Sequence, residues 1–304
     1  MKDYVMSSEE REYLAAYNIS NYDRPSIAAD MAVFSIMEQR EESIENYRKD
    51  PEKVLKLLLI RRAAFPYRNY WALPGGFCRK GESVLETARR ELEEETGVAD
   101  AYLRLFDIFS EKDRDPRGWI ISQAFLALIE GGKYKVHEGT DAWEAKWFQV
   151  TVKKEEISKE IKGEKAVIEN NYFLCLECTE REELKLTAKI KECKSFHHYH
   201  ETVSYHISNT DGIAFDHAKI ILCAWLTLQK ETGDTGKIIF DLMPEAFTMA
   251  ELQKAYEIVQ GKPLIVANFR RKMAEYVVET KEVSEGAGHR PAKLFKRNIE
   301  AFYK

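Results

Sequence analysis

The sequence predicts a mixed α/β (α+β) fold followed by a C-terminal helix-turn-helix with a hairpin wing. Strand-like apolar runs surround one well-capped helix in the first half of the chain, and two helical patterns separated by a glycine lie near the C-terminus. The length of 304 residues suits about two domains. Together these observations exclude a single small scaffold.

The composition is that of a globular protein with a solvated surface. Hydrophobic residues make up 44% of the chain and charged residues 32%, which excludes the low hydrophobicity of disordered proteins. No apolar run approaches the roughly 18 residues that cross a bilayer, and the first ten residues are polar and acidic. Five cysteines without regular spacing do not indicate a disulfide framework. We therefore expect a cytoplasmic protein that has no membrane partner.

The first half of the chain divides into an arm and a compact domain. The polar N-terminal arm, residues 1–24, contains a short helical pattern. In the domain that follows, residues 25–150, Ser83 with Glu86 three positions later forms the capping box that begins a helix, and Gly97 ends it. Strands of this domain are predicted at the apolar runs 27–36, 54–60, 102–109, 119–129 and 144–150.

Residues 151–235 are predicted to be a strand-rich insert with a connecting helix. The charge-rich stretch 153–165 is interpreted as a helix or linker. Alternating apolar residues predict strands at 184–190 and 203–207. Apolar residues at helical spacing then predict a helix over 216–230, and the glycine-containing stretch that follows it marks a domain boundary.

The C-terminal domain, residues 236–304, has the pattern of a winged helix-turn-helix. Thr248 with Glu251 forms a second capping box, and Gly261 ends that helix. A second helix is predicted from about 264 to 276, and the segments 277–280 and 292–296 then form the hairpin wing.

The charge distribution singles out the same domain. The whole chain has a net charge of −5, whereas residues 262–304 contain ten Lys or Arg and five Asp or Glu. This basic tail suits a polyanion such as operator DNA. The alternative is a structural or dimerising helix-turn-helix whose charges are simply solvated. The side chains expected to contact DNA are Asn268, Arg270, Arg271, Lys272, Arg290 and Lys293.

The capped helix of the first domain carries three closely spaced carboxylates. At 100° per residue, Glu91, Glu94 and Glu95 span an arc of about 100° beside the apolar face. Like charges at this spacing repel unless a hard cation lies among them, and Mg²⁺ prefers such oxygen ligands, with Mn²⁺ as an alternative. Composition alone favours an ordinary solvated helix face over a metal site. The wider pattern of residues on either side of these carboxylates is needed to distinguish the two.

That wider pattern resembles the Nudix box of nucleoside-diphosphate-linked-moiety hydrolases. The spacing of Gly76, Glu82, Arg90-Glu91, Glu94-Glu95 and Gly97 matches it without a departure. The resemblance implies a Nudix mixed-sheet sandwich and Mg²⁺-dependent attack of water on a pyrophosphate. It also implies that Glu91, Glu95 and the Gly76 carbonyl region bind metal, that Glu94 is a further ligand or the base, and that Arg90 and Glu82 orient the others. A base on a later loop is the alternative, with Glu138, Asp141 and Glu144 as candidates.

Flanking segments look similar to the Nudix subgroup that acts on or senses ADP-ribose and related NAD metabolites. The segments are 59–62, 71–77 and 113–119. Their arginines are planar donors suited to phosphate, and the ring side chains suited to stacking on adenine are Phe65, Tyr67, Tyr70 and Trp71. Surface ion pairs and core packing are the ordinary alternatives. The residues expected to bind substrate are Arg61, Arg62, Trp71, Arg114 and Arg117.

The basic tail resembles the winged-helix part of Nudix-related transcriptional regulators of NAD metabolism. Phe215-Asp216-His217, Phe247-Thr248, Asn268 to Lys272 and His289 to Ala292 carry this resemblance. It implies a homodimer that binds a nucleotide-sugar diphosphate and operator DNA.

Two functions follow from these residues. The first is a Mg²⁺-dependent hydrolase that cleaves ADP-ribose or a related nucleoside diphosphate derivative and also binds DNA. The alternative is a regulator whose Nudix domain senses such a metabolite without significant turnover. A zinc site formed by Cys175, Cys178, Cys193 and the nearby histidines is disfavoured, because the surrounding pattern looks like strands rather than a knuckle.

Overall fold

The computed structural model describes residues 6–39, 52–99, 101–131, 144–178, 180–181, 183–284 and 291–302. Its helices are α1 (Ser8–Ala16), α2 (Val84–Thr96), α3 (His217–Asp234), α4 (Met249–Gln260), α5 (Val266–Met273) and α6 (Ile299–Phe302). Its strands are β1 (Ser26–Glu38), β2 (Lys53–Arg61), β3 (Trp71–Ala72), β4 (Gly75–Phe77), β5 (Tyr102–Phe109), β6 (Ile120–Leu128), β7 (Ala145–Lys162), β8 (Lys165–Cys178), β9 (Lys185–His197), β10 (His200–Asp211), β11 (Phe247–Thr248), β12 (Val277–Val283) and β13 (Lys293–Arg297).

A large mixed sheet organises the first two thirds of the chain. Its strand order is β10-β9-β8-β7-β2-β1-β6-β5, with β3 paired to β2 and β4 paired to β1. Strands β1 and β6 are parallel, whereas β2 pairs antiparallel with both β1 and β7. This is the mixed sheet that the sequence predicts.

Helices cover both faces of the sheet because β1 is apolar on both sides. Met31 and Val33 point toward α2 and pack in one core with Ala88 and Leu92. The alternate residues, including Phe34, belong to a larger core on the other face, which is covered by α3. The sheet is therefore the middle layer between α2 and α3.

The prediction of a helix or linker over 153–165 is wrong. Strand β7 continues through this stretch to Lys162 and turns at Gly163 into β8, with Lys162 opposite Lys165. The charges misled the prediction because the outer half of β7 is exposed, so backbone pairing rather than apolar periodicity holds it in place. The same strand crosses the boundary that we expect at residue 150.

The C-terminal domain has the predicted helix-turn-helix and wing. Helices α4 and α5 are followed by a short 3₁₀ turn and by a three-stranded sheet in the order β11-β13-β12. The Thr248–Glu251 capping box is present, and Gly261 ends α4 in the left-handed conformation, as predicted. Among the described residues, no helix is long and apolar enough to span a membrane.

Helix α3 joins the two parts of the molecule, and it runs to Asp234, four residues past its predicted end. The core on its face of the sheet includes Phe34 and Leu57 from the strands together with Phe247 and Leu252 from the winged helix. The glycine-containing stretch therefore does not separate two independent cores.

We expect Leu228→Ala in α3 to destabilise the sheet and the winged helix together, because Leu228 is completely buried in their shared core. The expected loss is about 2–5 kcal/mol of unfolding free energy. Denaturant unfolding followed by tryptophan fluorescence and by far-UV circular dichroism checks this. The exposed Leu14→Ala serves as the control, with an expected effect within about 0.5 kcal/mol. Two separate transitions in wild type would contradict a shared core.

Candidate functional site

Local signals fix the position of α2. The Ser83 hydroxyl accepts a hydrogen bond from the Glu86 amide, and the Glu86 carboxylate accepts one from the Ser83 amide. Gly97 ends the helix in the left-handed conformation, which favours glycine. With Ala88 and Leu92 buried against the sheet, the charged residues of α2 lie along its remaining sides.

Arg90 is the centre of the charged network on α2. Its Nε and Nη2 donate to the two oxygens of Glu82 at 2.7 and 3.0 Å. Its Nη1 donates to Glu91 Oε1 at 2.6 Å and to Glu94 Oε2 at 3.1 Å. One largely buried guanidinium therefore offsets the repulsion among three carboxylates.

The Glu82–Arg90 pair changes the acidity of both groups. Hydrogen bonds from Arg90 lower the pKa of Glu82 to about 2, with further donors in the Arg79 amide and the Thr87 hydroxyl. The same bond raises the pKa of Arg90 above its ordinary value. Both side chains are therefore charged throughout the physiological range, as an orienting ion pair requires.

Glu95 has a different environment from the other box carboxylates. Burial raises its pKa to about 8, and the nearby Glu91 and Asp30 act in the same direction, while a hydrogen bond from the Gly75 amide opposes them. That amide is 2.8 Å from Glu95 Oε2. An enclosed carboxylate with this raised pKa is favoured as an anion only when a cation joins it.

Close packing brings the loop before α2 against its carboxylates. A Cβ placed on Gly76 would lie 2.4 Å from Glu91 Oε1, so only glycine allows this approach of backbone and carboxylate. Glu91, Glu95 and the backbone at Gly76 form an oxygen-rich donor set of the kind that divalent metal ions take. This donor set fits the predicted cation.

The carboxylates are nevertheless not gathered as tightly as the sequence predicts. Glu94 is about half exposed and is held by Arg79 at 3.2 Å as well as by Arg90. In the part of the chain that the structure describes, no group of three or more His, Cys, Asp or Glu is arranged to hold a metal ion. The ion pairs with arginine account for this, because they draw Glu91 and Glu94 toward cations already present.

A cavity of about 200 Å³ lies beside the box, between the sheet and the start of α3. Its polar and aromatic lining residues include Asp30, Arg62, Phe77, Glu95, Arg114, Asp115, Arg117, Phe215 and His217. Three of the five residues expected to bind substrate therefore line one cavity together with a box carboxylate.

Two of these arginines stack on aromatic rings. The Arg117 guanidinium lies 4.9 Å from the centre of the Phe77 ring and 5.1 Å from that of Phe215. The Arg62 guanidinium lies 4.7 Å from the Phe215 ring. The site thus presents planar cations and aromatic faces side by side, the groups that recognise phosphate and base.

Arg114 has a structural partner in the cavity wall. It donates to both oxygens of Asp216 at 2.9 and 2.7 Å, and its side chain is only 5% exposed. This bidentate pair ties the loop before β6 to the start of α3. Because Arg114 Nε and Nη2 are bonded to Asp216, Arg114 holds the wall of the cavity in place rather than offering these two donors to a ligand.

The remaining substrate candidates and the later-loop base lie elsewhere. Arg61, Trp71 and Glu144 line a second cavity of about 720 Å³ rather than the one beside the box. The Glu144 carboxylate is held there by Arg61, Lys146 and Arg181 at 3.4, 3.7 and 3.0 Å. The structure therefore does not bring Glu144 to the box. Glu138 and Asp141 lie outside the described residues.

Trp71 is a core residue. It is 4% exposed and packs edge-on against Phe148, with ring centres 4.9 Å apart. Its place in β3, which pairs with buried β2, explains why this ring is unavailable for stacking on a ligand.

The predicted DNA contacts fall into two groups. Helix α5 buries Phe269 and Met273 and leaves Asn268, Arg270 and Arg271 exposed on its other sides. By contrast, the Lys272 ammonium binds the Gly233 carbonyl and the Tyr256 hydroxyl at 3.0 and 2.8 Å, so it fastens α5 to the rest of the protein.

In the wing, one predicted DNA contact already has a partner. The Lys293 ammonium is paired with Glu279 at 2.6 Å, and Arg290 lies outside the described residues. Cys175 and Cys178 lie along strand β8, which agrees with the strand pattern of that segment rather than with a knuckle turn.

Several cavity residues were missed by sequence reasoning. One is Asp30, which is buried in β1 and accepts a hydrogen bond from the buried Ser122 hydroxyl of β6. The available signal was an aspartate inside a mostly apolar run of the sequence. Phe215 and His217 carried a family resemblance, but nothing in the sequence placed them beside the box.

Two protein-family models match the chain. Residues 47–170 match the NUDIX domain, and residues 239–296 match the NrtR DNA-binding winged helix domain. These matches confirm the predicted combination of a Nudix fold with a C-terminal winged helix.

Known proteins resemble the chain over its full length and over the box. It is 31% identical over 301 residues to the ADPR responsive transcriptional repressor NtrR of Acinetobacter baylyi, covering 98% of this chain and 92% of that protein. It is 44% identical over 99 residues to an ADP-ribose pyrophosphatase of Methanocaldococcus jannaschii, covering 33% of this chain and 57% of that enzyme. The crystal structure of a MutT/nudix family protein from Enterococcus faecalis has the same fold, with a TM-score of 0.63, 24% identity, and coverage of 97% of this chain and 100% of that one.

We expect Arg90→Gln to raise the pKa of Glu82 from about 2 toward 4.5, because the donor that lowers it most is removed. With a folded-state pKa below the unfolded value, this pair contributes stability above pH 4.5 that is lost as the pH falls toward 2. A carboxyl NMR titration of both proteins measures the shift. Arg89→Gln on the same helix is the control, and an unchanged Glu82 pKa in Arg90→Gln would contradict the assignment.

Proposed function

Because the chain belongs to the family of Nudix-domain proteins that carry an NrtR-type winged helix, we propose that it is an ADP-ribose-responsive DNA-binding regulator. Its ligand is ADP-ribose or a related nucleoside diphosphate derivative. The observation that carries the proposal is the cavity beside the box, whose wall is formed partly by the start of the helix that packs against the winged helix.

The chemistry of the cavity supports a nucleotide ligand. Arg62 and Arg117 supply planar cations for phosphate, and Phe77 and Phe215 supply faces for a base. The Nε and Nη2 of Arg117 already donate to Asp115, and the Nε of Arg62 donates to a backbone carbonyl, so the remaining guanidinium nitrogens are the donors left for a ligand. Because both arginines rest on aromatic rings, their guanidinium planes are already oriented. We propose that these residues hold the diphosphate and one of its nucleoside ends.

The exposed side of α5 supports DNA binding. Asn268, Arg270 and Arg271 form a polar, basic surface on the second helix of a helix-turn-helix, which is the element that enters the major groove in such domains. Dimeric helix-turn-helix proteins bind two half-sites that mirror their own two-fold symmetry, and we propose that the active form of this protein is such a homodimer.

A second candidate function is hydrolysis of the same ligand. The complete set of box residues favours it, since Glu82, Arg90, Glu91, Glu94 and Glu95 are all present and connected. Attack of water on one phosphorus of ADP-ribose would break the pyrophosphate bond and release AMP and a phosphosugar. We rank this activity as a companion of regulation, because the relative that matches along the whole chain is a repressor.

Glu91, Glu95 and the backbone at Gly76 would hold the divalent cation, for which we propose Mg²⁺ with Mn²⁺ as the alternative. When bound, such an ion offsets phosphate charge and lowers the pKa of a coordinated water. Arg90 keeps Glu91 in place through its anchorage on Glu82. Glu94 is about half exposed and accepts hydrogen bonds from Arg79 and Arg90 through one oxygen, and we propose that this carboxylate accepts the proton of the attacking water.

We expect the purified protein to release AMP from ADP-ribose in the presence of Mg²⁺. Glu95→Gln and Glu94→Gln should each lower the rate at least about 100-fold, since each removes a charge from the reacting centre. Glu93→Gln, an exposed glutamate of the same helix, is the matched control and should keep the wild-type rate. Chromatography of the products measures all four proteins. If the wild-type protein releases no AMP, the proposed hydrolase activity is wrong and only the proposal of a metabolite sensor remains.

We expect Arg270→Ala combined with Arg271→Ala to weaken binding to a duplex of mixed sequence. Loss of two phosphate contacts should lower the slope of log K against log salt by about 2. Fluorescence anisotropy at several salt concentrations measures this slope. Lys159→Ala with Lys165→Ala removes the same charge from exposed positions on the distant β7–β8 hairpin. An equal loss in both double variants would argue against a role of α5 as the DNA-binding helix.

A further inference from the structure

We propose that His217 is a ligand-binding residue whose Nε2–H donates a hydrogen bond to an oxygen of the nucleotide in the cavity. The inference rests on the proposed function and names a contact within that site. His217 is the first residue of α3 and lines the cavity beside Asp30 and Phe215. It is 6% exposed, so the cavity is where its free edge can meet a ligand.

The backbone of Leu73 fixes the tautomer of the imidazole. The Leu73 amide donates to His217 Nδ1 at 2.9 Å. A backbone amide can only donate, so Nδ1 carries the lone pair and the single proton of the neutral ring lies on Nε2. Burial lowers the pKa of His217, which also favours the neutral ring.

The resulting Nε2–H donor has no acceptor within the described residues. Asp30 Oδ1 lies 3.9 Å away, beyond hydrogen-bonding distance. The other oxygen of Asp30 is already bonded to the Ser122 hydroxyl. Because His217 lines the cavity, this donor gains a hydrogen bond when a ligand places an oxygen in front of it.

The neighbouring charges indicate the kind of oxygen. Arg62 and Arg117 line the same cavity and favour an anionic ligand, although Arg117 is already paired with Asp115 at 2.7 Å. By contrast, Asp30 and Glu95 oppose a second anion placed against them. A neutral donor between these groups suits a ribose hydroxyl or a phosphate oxygen of a nucleoside diphosphate derivative. It adds selectivity without adding charge.

The position of His217 gives this contact a further consequence. The other end of α3 is bonded to the winged helix, where the Gln229 amide donates to the Val259 carbonyl at 3.0 Å and Lys272 donates to the Gly233 carbonyl at 3.0 Å. A ligand held by His217 therefore contacts the first residue of the helix on which the DNA-binding domain rests.

His217→Asn separates the two hydrogen bonds of the ring. The asparagine oxygen can take the place of Nδ1 and accept from Leu73, but no donor remains at the Nε2 position. We expect the affinity for ADP-ribose, measured by isothermal titration calorimetry on the full chain, to fall about tenfold with little change in Tm. His200→Asn, an exposed histidine on β10, is the matched control and should bind as wild type.

A measurement on wild type does not depend on how the variant folds. In protein labelled with ¹⁵N at histidine, we expect Nδ1 of His217 to be unprotonated and the Nε2 resonance to move when ADP-ribose is added. The contact with His217 would be wrong if the Nε2 chemical shift did not change when ADP-ribose binds. It would also be wrong if His217→Asn folded and bound ADP-ribose as tightly as wild type, and in both cases the proposed function would still stand. Absence of ADP-ribose binding to wild type would overturn the proposed function and this contact with it.

Discussion

The burial of α3 between the sheet and the winged helix is the constraint on which the rest of the structure depends. One core includes residues of β1 and β2, most of the buried side chains of α3, and the first helix of the C-terminal domain. The start of the same helix is tied to the Nudix side by Arg114 and by the Leu73 amide, and its last turns are tied to α4 and α5. A change at either end therefore has to be accommodated by a close-packed element rather than by a flexible linker.

The box is a second constraint, and it is electrostatic. Glu82, just before α2, and Glu91 and Glu94 on α2 share the Arg90 guanidinium, which bonds to both oxygens of Glu82. Glu95 is buried and accepts a hydrogen bond from a backbone amide instead. This division explains why Glu82 and Glu95 are shifted in opposite directions from their ordinary acidity. Carboxylates that look equivalent in the sequence therefore differ in their surroundings: Glu82 is paired with Arg90, whereas Glu95 has no arginine hydrogen-bond partner among the described residues and remains available to a cation.

Local signals in the sequence predicted much of the fold, whereas contacts between residues far apart in the sequence could not be predicted from it. The capping boxes at Ser83 and Thr248 placed α2 and α4, because each acts within a few residues. The outer half of β7 was missed, because its pairing with β8 depends on backbone bonds that charged side chains conceal. The residue spacing alone identified the Nudix box. The hydrogen bond between Leu73 and His217 joins positions 144 residues apart, so it could be found only in the folded structure. Trp71 and Glu144 were assigned by residue type, whereas the folded chain places Trp71 in β3 and Glu144 just before β7, where both line the second cavity rather than the one beside the box.

A regulator that responds to ADP-ribose requires that occupancy of the cavity and binding of DNA are energetically linked, and we propose that α3 provides this link. Fluorescence anisotropy measures the affinity for operator DNA with and without a saturating ADP-ribose analogue whose pyrophosphate oxygen is replaced by methylene. We expect the affinity for DNA to change at least about fivefold, with an equal change in affinity for the analogue when DNA is present. Equal DNA affinity in both conditions, with the analogue demonstrably bound, would contradict the proposed link.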